Sequence, residues 1–264
     1  MTALPEATAS LLADGEMTLL GRIMPASNHT YLVRLGAEDG GIQAVYKPVS
    51  GEKPLWDFEE GTLAGREYAA FLVSEALGWS VVPPTLLREG LSGPGMVQLW
   101  CEPDEDQAAV DIVAQGAAGP GALHVLDAFD NHDQPVSLIH EDSPALRRMA
   151  LFDVVTNNTD RKGGHVLAMP DGHRYGVDHG ICFHVEDKLR TVLWGWAGLS
   201  FTAEETAGLT ALANSFDDGL DETLAPYLSA PERAKTRRRV GRLLRDGRFP
   251  EPGSGWPPLP WPAF

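Results

Sequence analysis

LFDVVTNNTDRKGGHVL, residues 151 to 167, runs from an apolar helical stretch through a polar loop into a strand-like one, and the fold turns on how it is read. Residues Ser143 to Val155 have helical spacing, with Ser143 as an N-cap before Pro144. The helix stops at Asn157-Asn158-Thr159-Asp160-Arg161 and two glycines, after which HVLAM takes on strand character. A loop held between two such elements is where reactive groups gather, which makes Asp160 a candidate. Eighteen residues on, YGVDHGICF ends a second strand in a turn at Asp178, and two short strands flank Asp171-Gly172. Two carboxylates can thus approach one point.

Working outward, MTLLGRI, HTYLVRLG and GIQAVYKPV read as a three-stranded meander, with turns at Pro25-Ala26-Ser27-Asn28 and Glu38-Asp39-Gly40-Gly41. A helix spans Thr62 to Leu77, Pro83-Pro84 interrupts, and TLLRE and GMVQLWCE return to strand. Alternation puts Val45 and Lys47 on one strand face, Ala44 and Tyr46 on the other. Glu67 lies on the apolar stripe of its helix, four residues from both Leu63 and Phe71. Burying either charge alone costs several kcal/mol, roughly, and pairing offsets much of it, so Lys47 and Glu67 are expected to meet.

Beyond this first unit, residues 1 to 102, DEDQAAVDIVAQGAAGPG is acidic and rich in Gly and Ala. Three closing helices are read in TAEETAGLTALANSF, GLDETLAPYL and PERAKTRRRVGRLLR, completing a second unit, residues 103 to 248. A Pro-rich tail, residues 249 to 264, has neither helix nor strand pattern. A net charge of −16 argues against a nucleic-acid partner. Eight of the 21 basic residues nevertheless crowd into residues 230 to 249. The pattern predicts a solvated helix with Val240, Leu243 and Leu244 inward; docking on an acidic lobe or an anionic partner is the alternative. There is no transmembrane run and no secretory leader pattern, so a cytoplasmic protein is expected, with Cys101 and Cys182 reduced. The spacing of His165, His173, His179 and His184 matches no familiar zinc pattern.

One lysine, a glutamate to hold it and two carboxylates suit phosphoryl transfer from a nucleotide. In the protein-kinase signature the catalytic Asp stands five residues before a metal-binding Asn; here Asp160 is followed at that distance by His165. Taken in order, AVYKP, GREYAAFLVSEALG, MVQLW, NNTDRKGGH and YGVDHG resemble the phosphatidylinositol 3-/4-kinase-like superfamily over about residues 17 to 200. The likeness is to its compact bacterial branch, near type II phosphatidylinositol 4-kinases and HipA-like kinases.

That resemblance implies an α+β, two-lobed protein-kinase-like fold: an N-lobe antiparallel sheet with one helix, a hinge at its end, and a mainly helical C-lobe. It implies ATP as substrate with Mg²⁺ or Mn²⁺. Lys47 would bind the α- and β-phosphates, Glu67 would position it, Asp160 would be the catalytic Asp and Asp178 the principal metal ligand. Gln98, Leu99, Trp100 and Cys101 would form the hinge against adenine, and Ser27 and Asn28 would stand where a Gly-rich loop covers the phosphates. His165 departs from the family's Asn at the second metal position, and an imidazole tilts the preference toward Mn²⁺. The implied activity is γ-phosphate transfer to a hydroxyl acceptor, either a small metabolite or a protein. A nucleotide-binding pseudokinase regulating a partner protein, and an AMP transferase, are the alternatives.

Overall fold

In the computed structural model residues 4–24, 28–53, 55–58 and 62–264 are described. The alternating patterns near the N-terminus form β1 (Met17–Arg22), β2 (Tyr31–Leu35) and β3 (Ile42–Pro48). With β4 (Thr85–Gly90) and β5 (Gly93–Leu99) they make an antiparallel sheet in the order β1-β2-β3-β5-β4. A short helix, α1 (Glu6–Asp14), precedes them and buries Leu12 in the sheet's core. Sequence periodicity passed over it because its apolar face amounts to one turn.

Helix α2 (Leu63–Leu77) starts where Thr62 accepts a hydrogen bond from Gly65 N. The Glu52 carboxylate accepts from Leu63 N and Ala64 N at 2.9 and 2.8 Å, satisfying orphan donors of the first turn. Gly78, left-handed at φ 70°, ends the helix.

The second lobe holds a sheet that the acidic Gly/Ala-rich reading did not foresee. Strands β6 (Val110–Ala114), β7 (Ala122–Phe129) and β8 (Pro135–Glu141) pair in the order β6-β8-β7. Asp111, His124 and Asp127 interrupt the apolar alternation and hid these strands. Helix α3 (Pro144–Thr156) is capped by Ser143, and its end is turned by Asn157 in the left-handed region. The hairpin of β9 (Val166–Ala168) and β10 (Arg174–Gly176) follows. Helices α4 (Ala203–Ser215), α5 (Asp221–Leu224) and α6 (Ala230–Asp246) close the lobe. The expected middle helix shrinks to one turn, because Gly219 at φ 105° breaks the entry and Pro226 stops continuation.

The result is the two-lobed α+β arrangement that the resemblance implies, with an antiparallel sheet at one end and a mainly helical lobe at the other. Its apolar interior divides in two. Leu12, Val33, Leu35, Ala44, Tyr46 and Val97 form a small core on one face of the five-stranded sheet. The larger core joins α3, α4 and α6, and it also takes in Ala69, Ala70, Val73 and Leu77 of α2.

Helix α6 buries Val240 and Leu243, as its pattern predicts, but it also buries Arg239, which pairs with Asp187 at 3.2 Å. Arg233 and Arg237 pair with Asp221 and Asp217. The basic cluster therefore meets the chain's own acids. The Pro-rich tail lies on the C-lobe: Thr191 N and Trp194 Nε1 both donate to Pro258 O, and Gly163 N donates to Ala263 O at 2.8 Å. No helix among the described residues is long and apolar enough to cross a membrane.

Candidate active site

Strand β3 turns Ala44 and Tyr46 into the small core and leaves Lys47 on the opposite face, toward the second lobe. There its Nζ lies 2.6 Å from Glu67 Oε1 and 2.8 Å from Asp178 Oδ1. Glu67 is only 1% exposed, and its second oxygen accepts from His179 N at 2.9 Å. One buried carboxylate thus ties the lysine to the backbone next to Asp178. Burial pulls the ammonium's pKa down, but the Asp178 and Glu67 charges outweigh it and raise the pKa above its ordinary value. Lys47 in turn holds the Asp178 carboxyl well below the usual range, against the effect of burial. Asp178 adopts φ 63°, a left-handed conformation that costs a non-glycine residue about 1 kcal/mol or more.

The loop bearing Asp160 is fixed by a pair that the sequence did not single out. Asp153, inside α3, and Arg161 are both fully buried, and the guanidinium grips the carboxylate through Nε and Nη2 at 2.9 to 3.1 Å. Arg161 also donates to the carbonyls of His165 and Val177, and its Nη2 donates to His179 Nε2. Asn158 Nδ2 and Thr191 Oγ1 complete the shell of Asp153. A Cβ on Gly176 would come within 2.9 Å of the Arg161 guanidinium, so only glycine admits this approach. The side-chain oxygens of Asn157 and Asn158 already accept from Lys188 N and Asp160 N, while their Nδ2 groups donate to the carbonyls of His184 and Glu186 and to Asp153, which leaves neither to replace a metal-binding Asn.

Asp160 is half-buried, its backbone N donating to Asn158 Oδ1 and its carboxylate 3.5 Å from Lys162 Nζ. Burial raises its pKa; Lys162 and, further off, Arg190 oppose the shift, while Asp178 adds to it. His165 Nδ1 lies 3.0 Å from Asp160 O, and its Nε2 faces Asp178 Oδ2 at 3.5 Å. A backbone carbonyl can only accept, so Nδ1 carries the proton and the Nε2 lone pair is left bare toward Asp178. Burial pushes the His165 pKa down to about 4, keeping the ring neutral. A neutral imidazole facing an ionised carboxylate fits a divalent cation. No group of three or more His, Cys, Asp or Glu side chains suited to a metal occurs among the described residues, so the remaining ligands would have to be water or phosphate oxygens.

The expected hinge divides. Gln98 is buried, its amide donating to Thr85 Oγ1. Leu99 packs against the small core, so its side chain points away from the face that carries Lys47. Trp100 donates through Nε1 to Glu102, and Cys101 is partly buried, its thiol pKa pushed up to about 11 by burial. Val45 and Met96 share one sheet face with Lys47, since Lys47 pairs with Met96 and Val45 with Gln98. Carrying the β3 alternation across to β5 would have found Met96. Asn28 Oδ1 accepts from Lys53 N, which ties the β1–β2 turn to the segment after β3; Ser27 lies outside the described residues.

No family model matches this sequence. Protein Rv2133c of Mycobacterium tuberculosis is 49% identical over 264 residues, covering 97% of this chain and 95% of that protein. The crystal structure of a Helicobacter pylori proinflammatory kinase, CtkA, superposes with a TM-score of 0.46 at 12% identity, covering 90% of this chain and 94% of that one.

Proposed function

The chain belongs to the family of Mycobacterium tuberculosis Rv2133c, and we propose that it is an ATP-dependent phosphotransferase that moves the γ-phosphate onto a hydroxyl acceptor. The observation that carries this reading is the shared grip on Lys47: a buried Glu67 at 2.6 Å and a half-exposed Asp178 at 2.8 Å, with Asp160 held apart on its own loop. The order of motifs that resembles the phosphatidylinositol 3-/4-kinase-like superfamily supports it. In this reading Lys47 neutralises the α- and β-phosphates, and adenine lies along the strand end at residues 98 to 101. The Asp160 carboxylate takes the acceptor's hydroxyl proton as that oxygen bonds to the γ-phosphorus. The bond from γ-phosphorus to the β–γ bridging oxygen breaks, its electron pair leaving with ADP. Asp178 and His165 would hold Mg²⁺ or Mn²⁺, which supplies charge neutralisation on the phosphate oxygens.

Incubating the protein with ATP and each metal, and identifying the product nucleotide, tests the reading. ADP formation that is lost in Asp160→Asn supports it. Pyrophosphate release with AMP carried on the acceptor would point to AMP transfer instead. Nucleotide binding without turnover would favour a regulatory pseudokinase, a reading that His165 at the Asn position keeps in play.

A further inference from the structure

We propose that Arg190 is the acceptor's recognition residue and that the acceptor carries a phosphate monoester beside the hydroxyl to be phosphorylated. This rests on the phosphotransferase reading above. The backbone fixes where Arg190 sits: its N donates to Asn158 O at 2.9 Å, and its carbonyl accepts from Arg161 N at 3.0 Å. Those two bonds bracket Asp160 and set the Arg190 backbone beside its loop, near enough for the guanidinium's charge to act on the carboxylate. Orientation comes from the tail. The Arg190 guanidinium carbon stands 4.6 Å from the centre of the Trp256 ring, and Trp256 is held nearby because Pro258 O accepts from Thr191 N and Trp194 Nε1. Stacking of this kind pre-orients the planar fork that recognises phosphate through two parallel hydrogen bonds.

Among the described residues, Arg190 also lacks the ion pair that anchors several other arginines of this lobe. Arg147, Arg161, Arg174 and Arg239 of the same lobe each pair with a carboxylate: Glu205, Asp153, Glu141 and Asp187 respectively. Arg190 forms no ion pair among the described residues, and its Nε is buried without a hydrogen bond. In a chain with 37 acidic side chains and 21 basic ones, carboxylates are plentiful, and yet Asp160, which feels the charge of Arg190, forms no ion pair with it. A pre-oriented cation left unpaired next to Asp160 is matched by an anion that arrives with the acceptor.

The test is to load the protein with a non-hydrolysable ATP analogue and Mg²⁺, so that nucleotide phosphate sites are filled, and to follow the Arg190 Nε–H signal by NMR, assigned with Arg190→Gln. Glycerol 3-phosphate is the probe, and glycerol the control. A saturable shift with a midpoint on the order of 1–10 mM is expected for glycerol 3-phosphate and none for glycerol. With binding to the variants read by isothermal titration calorimetry, Arg190→Lys, which keeps the charge and loses the fork, should bind roughly tenfold more weakly, as should Trp256→Ala. A response to phosphatidylcholine vesicles containing phosphatidic acid, without one to glycerol 3-phosphate, would assign the same phosphomonoester chemistry to a lipid headgroup. No saturable shift with either probe, an equal shift with glycerol, or unchanged affinity in both Arg190→Lys and a folded Arg190→Gln would overturn the proposal. Failure of the analogue to load counts against the phosphotransferase reading, while the anion titration still reports on Arg190.

Discussion

Lys47 is a single ammonium shared by two carboxylates, so Lys47→Met removes the cation proposed to meet the nucleotide's phosphates and also strands Glu67 in the interior. ATP affinity is expected to fall at least about tenfold, and thermal unfolding should show a loss of roughly 1–3 kcal/mol from the buried, unpaired acid. Fluorescent-nucleotide binding and calorimetry would read the two effects separately; unchanged affinity in a folded variant would remove Lys47 from the phosphate site. The proton acceptor sets the pH dependence. In the proposed role Asp160 works only as a carboxylate, and burial raises its pKa, so turnover should be lost as pH falls through a value above the ordinary Asp pKa. Lys162 opposes that rise, and Lys162→Met should move the acid limb to still higher pH. His165, held down to about 4, stays neutral throughout the physiological range and should add no limb of its own near the usual histidine pKa. Its signature is instead the metal: activity should favour Mn²⁺ over Mg²⁺, and His165→Asn should move the preference toward Mg²⁺. Strong Mg²⁺ activity in the parent, unchanged in His165→Asn, would make the ring structural.

At the scale of elements, the joint between α3 and the Asp160 loop is the buried Asp153–Arg161 pair. Asp153→Ala leaves Arg161 charged and unpaired in the interior, and a destabilisation of about 3–5 kcal/mol is expected by denaturant titration. A loss below about 1 kcal/mol, the range of exposed pairs, would show that the joint is dispensable. The same joint shows where sequence reading stops. Lys47 and Glu67 were legible because each places a charge on a face whose neighbours are apolar, a conflict visible within one element. Asp153 sits in an ordinary helical run, and its partners stand eight residues on at Arg161 and 38 residues on at Thr191. Its role exists only once the chain has folded back. Strands β6 to β8 escaped for a related reason: their pairing is set by neighbours in the sheet, and their own alternation is broken by polar residues. The tail read correctly as lacking helix and strand, but its Pro and Trp residues gave no sign that they would lie against Thr191, Trp194 and Gly163.

Across the whole molecule, that tail joins the Asp160 loop to the segment that carries Arg190. A Cβ on Gly163 would fall 2.3 Å from the Phe264 ring, which shows how closely the tail approaches the loop. Removing residues 256 to 264 takes away the acceptors of Thr191 N, Trp194 Nε1 and Gly163 N together with the stack under Arg190. A lower thermal midpoint and reduced turnover are expected, with nucleotide affinity within about threefold of the parent because Lys47 and Glu67 lie apart from it. A large loss of nucleotide affinity would mean that the tail also supports the cleft.

The division of the interior has a further consequence. The helix that carries Glu67 is cemented into the larger core, while the sheet that carries Lys47 keeps a small core of its own. Arg66, next to Glu67, pins the same helix to Glu232 at 2.6 Å and to the carbonyl of Cys182 at 3.0 Å. Swinging this helix outward to disarm the lysine would tear open the main interior of the protein. The less costly motion would be the other one, with the sheet as a lid over a stationary floor and its lysine leaving or rejoining a glutamate held in place. Control by an outside factor would then act on how far the lid opens, and the helix would serve as its anvil.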